Sequence, residues 1–166
     1  GNILSTVVSS QYKLEGHKLR IDFLTEAEKH LDIHIFGWEN TFQFESYKGS
    51  LGKYKDDGLF KYKYTLAVEN TNRRNYCTEK WIDGILAECL VFYWGCPNLE
   101  DFIDHRSFIR LDINDINGSI RTIKQMISCD AWNSRIPYIR DAKQKILTRY
   151  SFAPRIIGLL DLHKFN

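Results

Sequence analysis

The residues best suited to handling an anion form one short run. Glu69-Asn70-Thr71 is followed by Asn72-Arg73-Arg74-Asn75 and then by Tyr76-Cys77-Thr78-Glu79-Lys80, which heads an apolar helical pattern. The first amides of a helix lack internal partners and carry roughly half a positive charge, so a phosphate placed there gains hydrogen bonds and a favourable dipole. Lys80 in that first turn adds a full cation. A lysine so placed is unfavourable by about a few tenths of a kcal/mol unless an anion is present. Glu79 offsets part of that cost and offers a carboxylate to sugar or ribose hydroxyls. The plainer reading makes Thr78 an N-cap, Glu79 a dipole-matched acid and Lys80 solvated surface. A second junction shifts the balance towards a ligand: Gly16-His17-Lys18-Leu19-Arg20 also follows a strand and a loop. Arg20 is suited to clamping a pyrophosphate through two parallel charge-assisted bonds, with Lys18 as a supporting cation, although a lone basic residue on a helix is more often surface.

These junctions need a scaffold that brings strand ends together. Residues 4–9 are apolar and β-branched, 10–17 polar, and 19–31 apolar at helical spacing; 32–36 alternate before Gly37. This predicts a βαβ unit with parallel strands. Residues 39–58 read as a loop, with Asp56-Asp57-Gly58 a turn. A short strand is expected over 64–68. Thr78 then starts a helix whose face is Trp81, Ile82, Ile85, Leu86 and Cys89. The wholly apolar run 90–94 reads as a central strand buried on both faces, and 108–113 as another strand. Helical patterns follow from Ile116, with Ile120, Ile123 and Ile127 sharing a face, and over 138–150. Pro154 interrupts before a last apolar segment, 156–163, which wants cover from a partner domain or subunit.

Strands alternating with helices predict an α/β fold, a Rossmann-like doubly wound parallel sheet, in which ligands bind beyond the carboxyl ends of the strands. The loops after Val8, Val68 and Trp94 are therefore the candidate places. The expected organisation is a single domain over 1–166, with 117–166 a helical tail.

Composition narrows the partners. With 166 residues, 43% of them hydrophobic, one sizeable core is expected. The 23 basic and 21 acidic residues nearly cancel, so no overall field recruits nucleic acid or an anionic membrane. Cys77, Cys89, Cys96 and Cys129 lack C-x-x-C spacing and nearby histidines. We read them as buried small apolar side chains, one disulfide being the lesser alternative, and expect no metal site. No apolar run approaches the ~20 residues that span a bilayer. The start at Gly1, without a methionine, suggests a piece cut from something longer.

The motifs carry a resemblance. Residues 64–71 with Glu69-Asn70-Thr71, then Tyr76-Cys77-Thr78-Glu79-Lys80, Val91-Phe92-Tyr93-Trp94-Gly95-Cys96-Pro97-Asn98 and Ser107-Phe108-Ile109, resemble the signature of the α-1,3/4-fucosyltransferases, glycosyltransferase family 10. The opening 4–10 and His17-Lys18-Leu19-Arg20 resemble the start of that family's C-terminal domain. The likeness spans roughly residues 4 to 115. It implies the C-terminal, donor-binding half of a GT-B glycosyltransferase that transfers fucose from GDP-fucose with inversion to a glycan acceptor, without a cofactor. By that resemblance Arg20 and Lys80 neutralise the pyrophosphate, Tyr76 bonds a phosphate, and Asn70 and Glu79 contact ribose or fucose. Glu69 and Thr78 act as supports, and Arg73 adds to phosphate binding or is merely an exposed loop charge. The family's catalytic base lies in an N-terminal acceptor domain, so the catalytic residue is unknown here and the chain is not expected to complete transfer alone. The alternatives are an inactive nucleotide-sugar-binding module of a larger protein, or a transferase using another GDP-hexose. The compartment stays open: the Golgi lumen for a eukaryotic source, the cytoplasm for a microbial one.

Other features read as ordinary structure. Trp38, Trp81 and Trp94 are expected to pack in the core or against a subunit rather than stack on bases. Asp112-Ile113-Asn114-Asp115 looks like a metal-binding D-x-D run but trails a strand, as turn-forming Asp and Asn do. His17 and His105 have no paired acid at a defined spacing and receive no general-base role.

Overall fold

In the computed structural model, residues 3–51 and 56–150 are described. Among these residues the sheet has six parallel strands in the order β3-β2-β1-β4-β5-β6. These are β1 (Leu4–Val7), β2 (Ile33–Phe36), β3 (Tyr47–Gly49), β4 (Tyr64–Val68), β5 (Leu90–Trp94) and β6 (Phe108–Arg110). The helices are α1 (Glu15–Ala27), α2 (Glu79–Leu86), α3 (Ile116–Ser128) and α4 (Ala131–Lys145). This is the doubly wound Rossmann-like order, winding outward in both directions from a switch point between β1 and β4.

The centre of the sheet is the most apolar part, and the reason is burial. Every residue of β4 and β5 is buried, which a polar or alternating strand would not tolerate. The sheet tapers from these five-residue strands to three-residue strands at both edges. Tyr64 stacks on Phe92 at 5.7 Å between ring centroids, and its hydroxyl meets the start of α4 by accepting from the Trp132 amide at 3.1 Å. Ile120 and Ile123 of α3 and Ile139 and Ala142 of α4 belong to the same hydrophobic cluster as the strands.

Several boundaries differ from the sequence reading. Helix α1 begins at Glu15, so Gly16, His17 and Lys18 are its first turn rather than loop. Residues 39–58 contain strand β3, whose Tyr47 aligns with Ile35 and whose pairing is imposed by β2 rather than by its own composition. Asp56–Gly58 forms a single 3-10 turn. Helix α4 starts at Ala131 and runs through Pro137. Pro137 and Asn133, whose carbonyl loses the Pro137 N–H as a partner, are both exposed residues. Asp115 caps α3 by accepting from the Gly118 amide at 2.8 Å, and Asp112 accepts from the Asn114 amide at 3.0 Å, so the D-x-D-like run is turn and cap. All four cysteines are free; Cys89 and Cys96 are buried, Cys77 is half-buried, and Cys129, at the end of α3, is exposed to solvent. Pro154 and the segment 156–163 lie outside the described residues. Among those described, no helix is long and apolar enough to cross a membrane.

Candidate functional site

The chain reverses its winding between β1 and β4, which leaves a crevice beyond their carboxyl ends. A cleft of about 370 Å³ opens there. Its walls include Thr6 to Ser9, Thr65 to Val68, Arg20 from α1, and Glu79, Lys80 and Asp83 from α2.

Arg20 reaches the cleft because α1 starts early enough to place it in the second turn, facing the sheet. The side chain is only 3% exposed. Nη1 donates to Asn70 Oδ1 at 3.4 Å and Nη2 to Ser9 Oγ at 3.2 Å, both long, and Nε is buried without a partner. Among the described residues no carboxylate lies within ion-pair distance of it. Burial lowers its pKa and the Glu69 charge raises it, but a guanidinium stays charged throughout. A buried cation held only by weak neutral acceptors is an incomplete electrostatic arrangement.

The α2 side is organised by Glu69, which is fully buried at 0% exposure. Its carboxylate accepts from the Thr78 amide at 2.8 Å and from the Thr78 hydroxyl at 2.6 Å. Thr78 therefore holds the N-cap position without capping: its hydroxyl is given to Glu69. The Tyr93 hydroxyl accepts from the Cys96 amide at 3.0 Å and donates weakly to Glu69 at 3.5 Å. Gly95, at φ +151°, makes room for this arrangement, because a Cβ there would strike Glu69 and the Tyr93 oxygen. Lys80 Nζ donates to Thr78 Oγ1 at 3.0 Å and stands 3.6 Å from Glu69 and 3.7 Å from Glu79. The protein's own carboxylate thus takes the Thr78 amide, while the amides of Glu79, Lys80 and Trp81 have no intrahelical acceptor.

The remaining sequence-derived residues are distributed around this centre. Asn70 joins the cleft through Arg20 but lines a second hollow of about 490 Å³, with Gly16, Thr71 and Trp94. Gly16 packs directly on the Asn70 carbonyl, a contact any larger residue would break. Tyr76 is half-buried and lines neither hollow. Lys18 turns towards the Tyr12 ring, 5.9 Å from its centroid, and Arg73 is exposed in the loop. His17 is buried, accepts from the Leu14 amide at 3.3 Å through Nδ1, and has its pKa lowered by burial and by the charges of Arg20 and Lys80.

Three participants were not singled out from sequence. Asp83 shares the Glu79 and Lys80 face of α2 by its three- and four-residue spacing, a signal that was available. Tyr93 hides inside an apolar run that gives no hint of a bonded hydroxyl. Trp38 is 78% exposed at the cleft wall and so is not a core residue of this chain, whereas Trp81 and Trp94 are core residues as expected.

Chemically, the cleft offers a buried guanidinium and an ammonium for an anion with helix amides beside them, and the Glu79 and Asp83 carboxylates stand on its α2 wall. A family model described as glycosyltransferase family 10 (fucosyltransferase) C-term matches residues 2–139. That span continues beyond residue 117, where the motif likeness was expected to fade, through α3 and into α4. The alpha-(1,3)-fucosyltransferase FucT of Helicobacter pylori is 33% identical over 85 residues, 49% of this chain and 18% of that protein. A solved α1,3-fucosyltransferase with GDP superposes with a TM-score of 0.66 at 24% identity, covering 81% of this chain and 38% of its own. A second, with GDP-fucose, gives 0.64 at 25% identity over the same shares. The chain therefore spans less than a fifth of the H. pylori protein and little over a third of the solved chains.

Proposed function

We propose, from the premise that this chain belongs to glycosyltransferase family 10 (fucosyltransferase), that its switch-point cleft binds the diphosphate of a GDP-sugar, with GDP-fucose the first candidate. In this reading the chain is the donor half of a transferase that inverts the sugar's anomeric centre on transfer to a glycan hydroxyl. The observation that carries it is Arg20: a buried guanidinium with an orphan Nε and, among the described residues, no carboxylate within ion-pair distance, lining the same cleft as Lys80. The solved relatives with GDP and with GDP-fucose support the choice of nucleotide.

Negative charge builds on the leaving diphosphate as the bond to the sugar breaks. Cations and amides fixed in advance at that position favour the transition state more than the ground state. Arg20 takes one side of the diphosphate, and Lys80 leaves its shared contact with Glu69 to take the other. Glu79 and Asn70 are the proposed contacts to ribose or fucose hydroxyls. Tyr76 reaches a phosphate only after the loop before α2 moves inward. A general base for the acceptor hydroxyl is assigned to the family's acceptor domain.

Calorimetric titration with GDP, GDP-fucose, GDP-mannose and a UDP-sugar tests the reading. The guanosine nucleotides should bind and the uridine donor should not; preference for uridine would overturn it. Removing a charged hydrogen-bonding partner costs about 1.5 to 3 kcal/mol, so Arg20→Ala and Lys80→Ala should each weaken GDP binding roughly 10- to 100-fold in folded protein. Fucose transfer measured with the full-length polypeptide separates a transferase from a module that only binds.

A further inference from the structure

Asn98 closes the run Trp94-Gly95-Cys96-Pro97-Asn98 and lines neither hollow. It is only 8% exposed, and its carboxamide is fully committed. Oδ1 accepts from the Asn75 amide at 2.9 Å and from the Cys96 thiol at 3.2 Å. Nδ2 donates to Asn75 Oδ1 at 2.9 Å and to Asp101 Oδ2 at 2.7 Å. A carboxamide has two lone pairs and two N–H groups, so no capacity is left over for a ligand. Two of these bonds cross to the loop between β4 and α2, and both end on Asn75. The turn that bears Asn98 is itself fixed: the Cys96 amide donates to the Tyr93 hydroxyl at 3.0 Å, and the Cys96 carbonyl accepts from Arg110 Nη1 at 3.0 Å. Asn75 takes the left-handed φ of +61°, which asparagine tolerates, and the Tyr76 amide beyond it donates to the Arg73 carbonyl at 3.1 Å. Tyr76 thus follows a docked residue directly, and Thr78 beyond it is held by Glu69.

We propose that Asn98 is a positioning residue for the donor site: it docks Asn75 so that a short inward movement delivers the Tyr76 hydroxyl to a phosphate. This rests on the reading of the cleft as a GDP-sugar site. Asn98 touches no part of the nucleotide and acts only through Asn75 and Tyr76. Between the anchors at Asn75 and Thr78 the chain has only Tyr76 and Cys77, so the movement is confined to that span and the tyrosine keeps its pivot. A pivot ordered before the nucleotide arrives lowers the entropy lost on binding. Few side chains can replace the carboxamide: aspartate has no N–H to give and would set its charge against Asp101, and alanine leaves Asn75 undocked.

Calorimetry with GDP on a double-mutant cycle of Asn98→Ala and Tyr76→Phe tests the assignment. Tyr76→Phe should weaken GDP binding roughly tenfold, the loss of one hydrogen bond to a charged group. Asn98→Ala, in protein whose near-ultraviolet circular dichroism is native, should weaken it by about the same factor, and the double variant by no more than either single one. A role confined to holding up the fold would move only the urea midpoint. Wild-type affinity in folded Asn98→Ala, or losses that multiply in the double variant, overturns the assignment. So does wild-type affinity in Tyr76→Phe while Lys80→Ala is impaired, a result that leaves the cleft reading standing. Absence of GDP binding by the wild-type chain removes both. Should Asn98→Ala fail to fold, Asn75→Gly decides, because glycine keeps the left-handed turn and the amide bond to Asn98 Oδ1 and loses only the acceptor for Nδ2. That variant should bind GDP about threefold more weakly, with no further loss when combined with Tyr76→Phe. Unchanged affinity there sinks the proposal.

Discussion

At the scale of single residues, charge placement governs the molecule. His17 is buried beside Arg20 and Lys80, so its folded pKa lies below the ordinary 6.5. The unfolded chain then binds the proton more readily than the folded one as pH falls through about 6.5. Stability held above that pH is lost towards the folded value. Urea unfolding midpoints should therefore fall between about pH 7.5 and about 5.5, and a His17→Gln chain should lose part of that slope; an equal slope would remove His17 as the cause. The residues that sequence exposed were those whose charge is conspicuous at a strand-to-helix junction, namely Arg20, Glu79 and Lys80. Hidden were partners that matter only through contact. The Tyr93 hydroxyl sits inside a run that reads as wholly apolar, and Glu69's grip on Thr78 depends on two segments meeting in space.

At the scale of elements, close approach does what charge does for residues. Gly16 lets α1 lie directly on the chain leaving β4, and Arg20 stands one turn further along the same helix. A Gly16→Ala substitution gains about 1 kcal/mol of helix propensity but drives Cβ into the Asn70 backbone, an overpacking that costs about 1 to 3 kcal/mol. The net expectation is a lower urea midpoint together with weaker GDP binding, because α1 must back away from Asn70. Unchanged values for both would show the contact to be slack. Elements with a strong period of their own were legible: β4 and β5 by unbroken apolar character, α2 and α3 by their faces. Strand β3 was not, since three residues with a central lysine carry no period and pair only because β2 is there. The early part of α4 was masked by Pro137, which reads as a breaker until its exposed position is known.

At the scale of the whole molecule, α3 and α4 share the core of the sheet, which points to one cooperative unit over the described residues. Ile139 is fully buried, and truncating it to alanine should cost about 2 to 5 kcal/mol. Near-ultraviolet and far-ultraviolet signals should still melt together; separate transitions would mark the two helices as an independent layer. The taper of the sheet has its own consequence. A long open margin is what lets one chain add its backbone to another, and among the described residues each margin is only three residues, one of them interrupted by a shift in register. A neighbouring copy finds almost no ladder to extend, so crowding should leave these molecules side by side without templating fibrils.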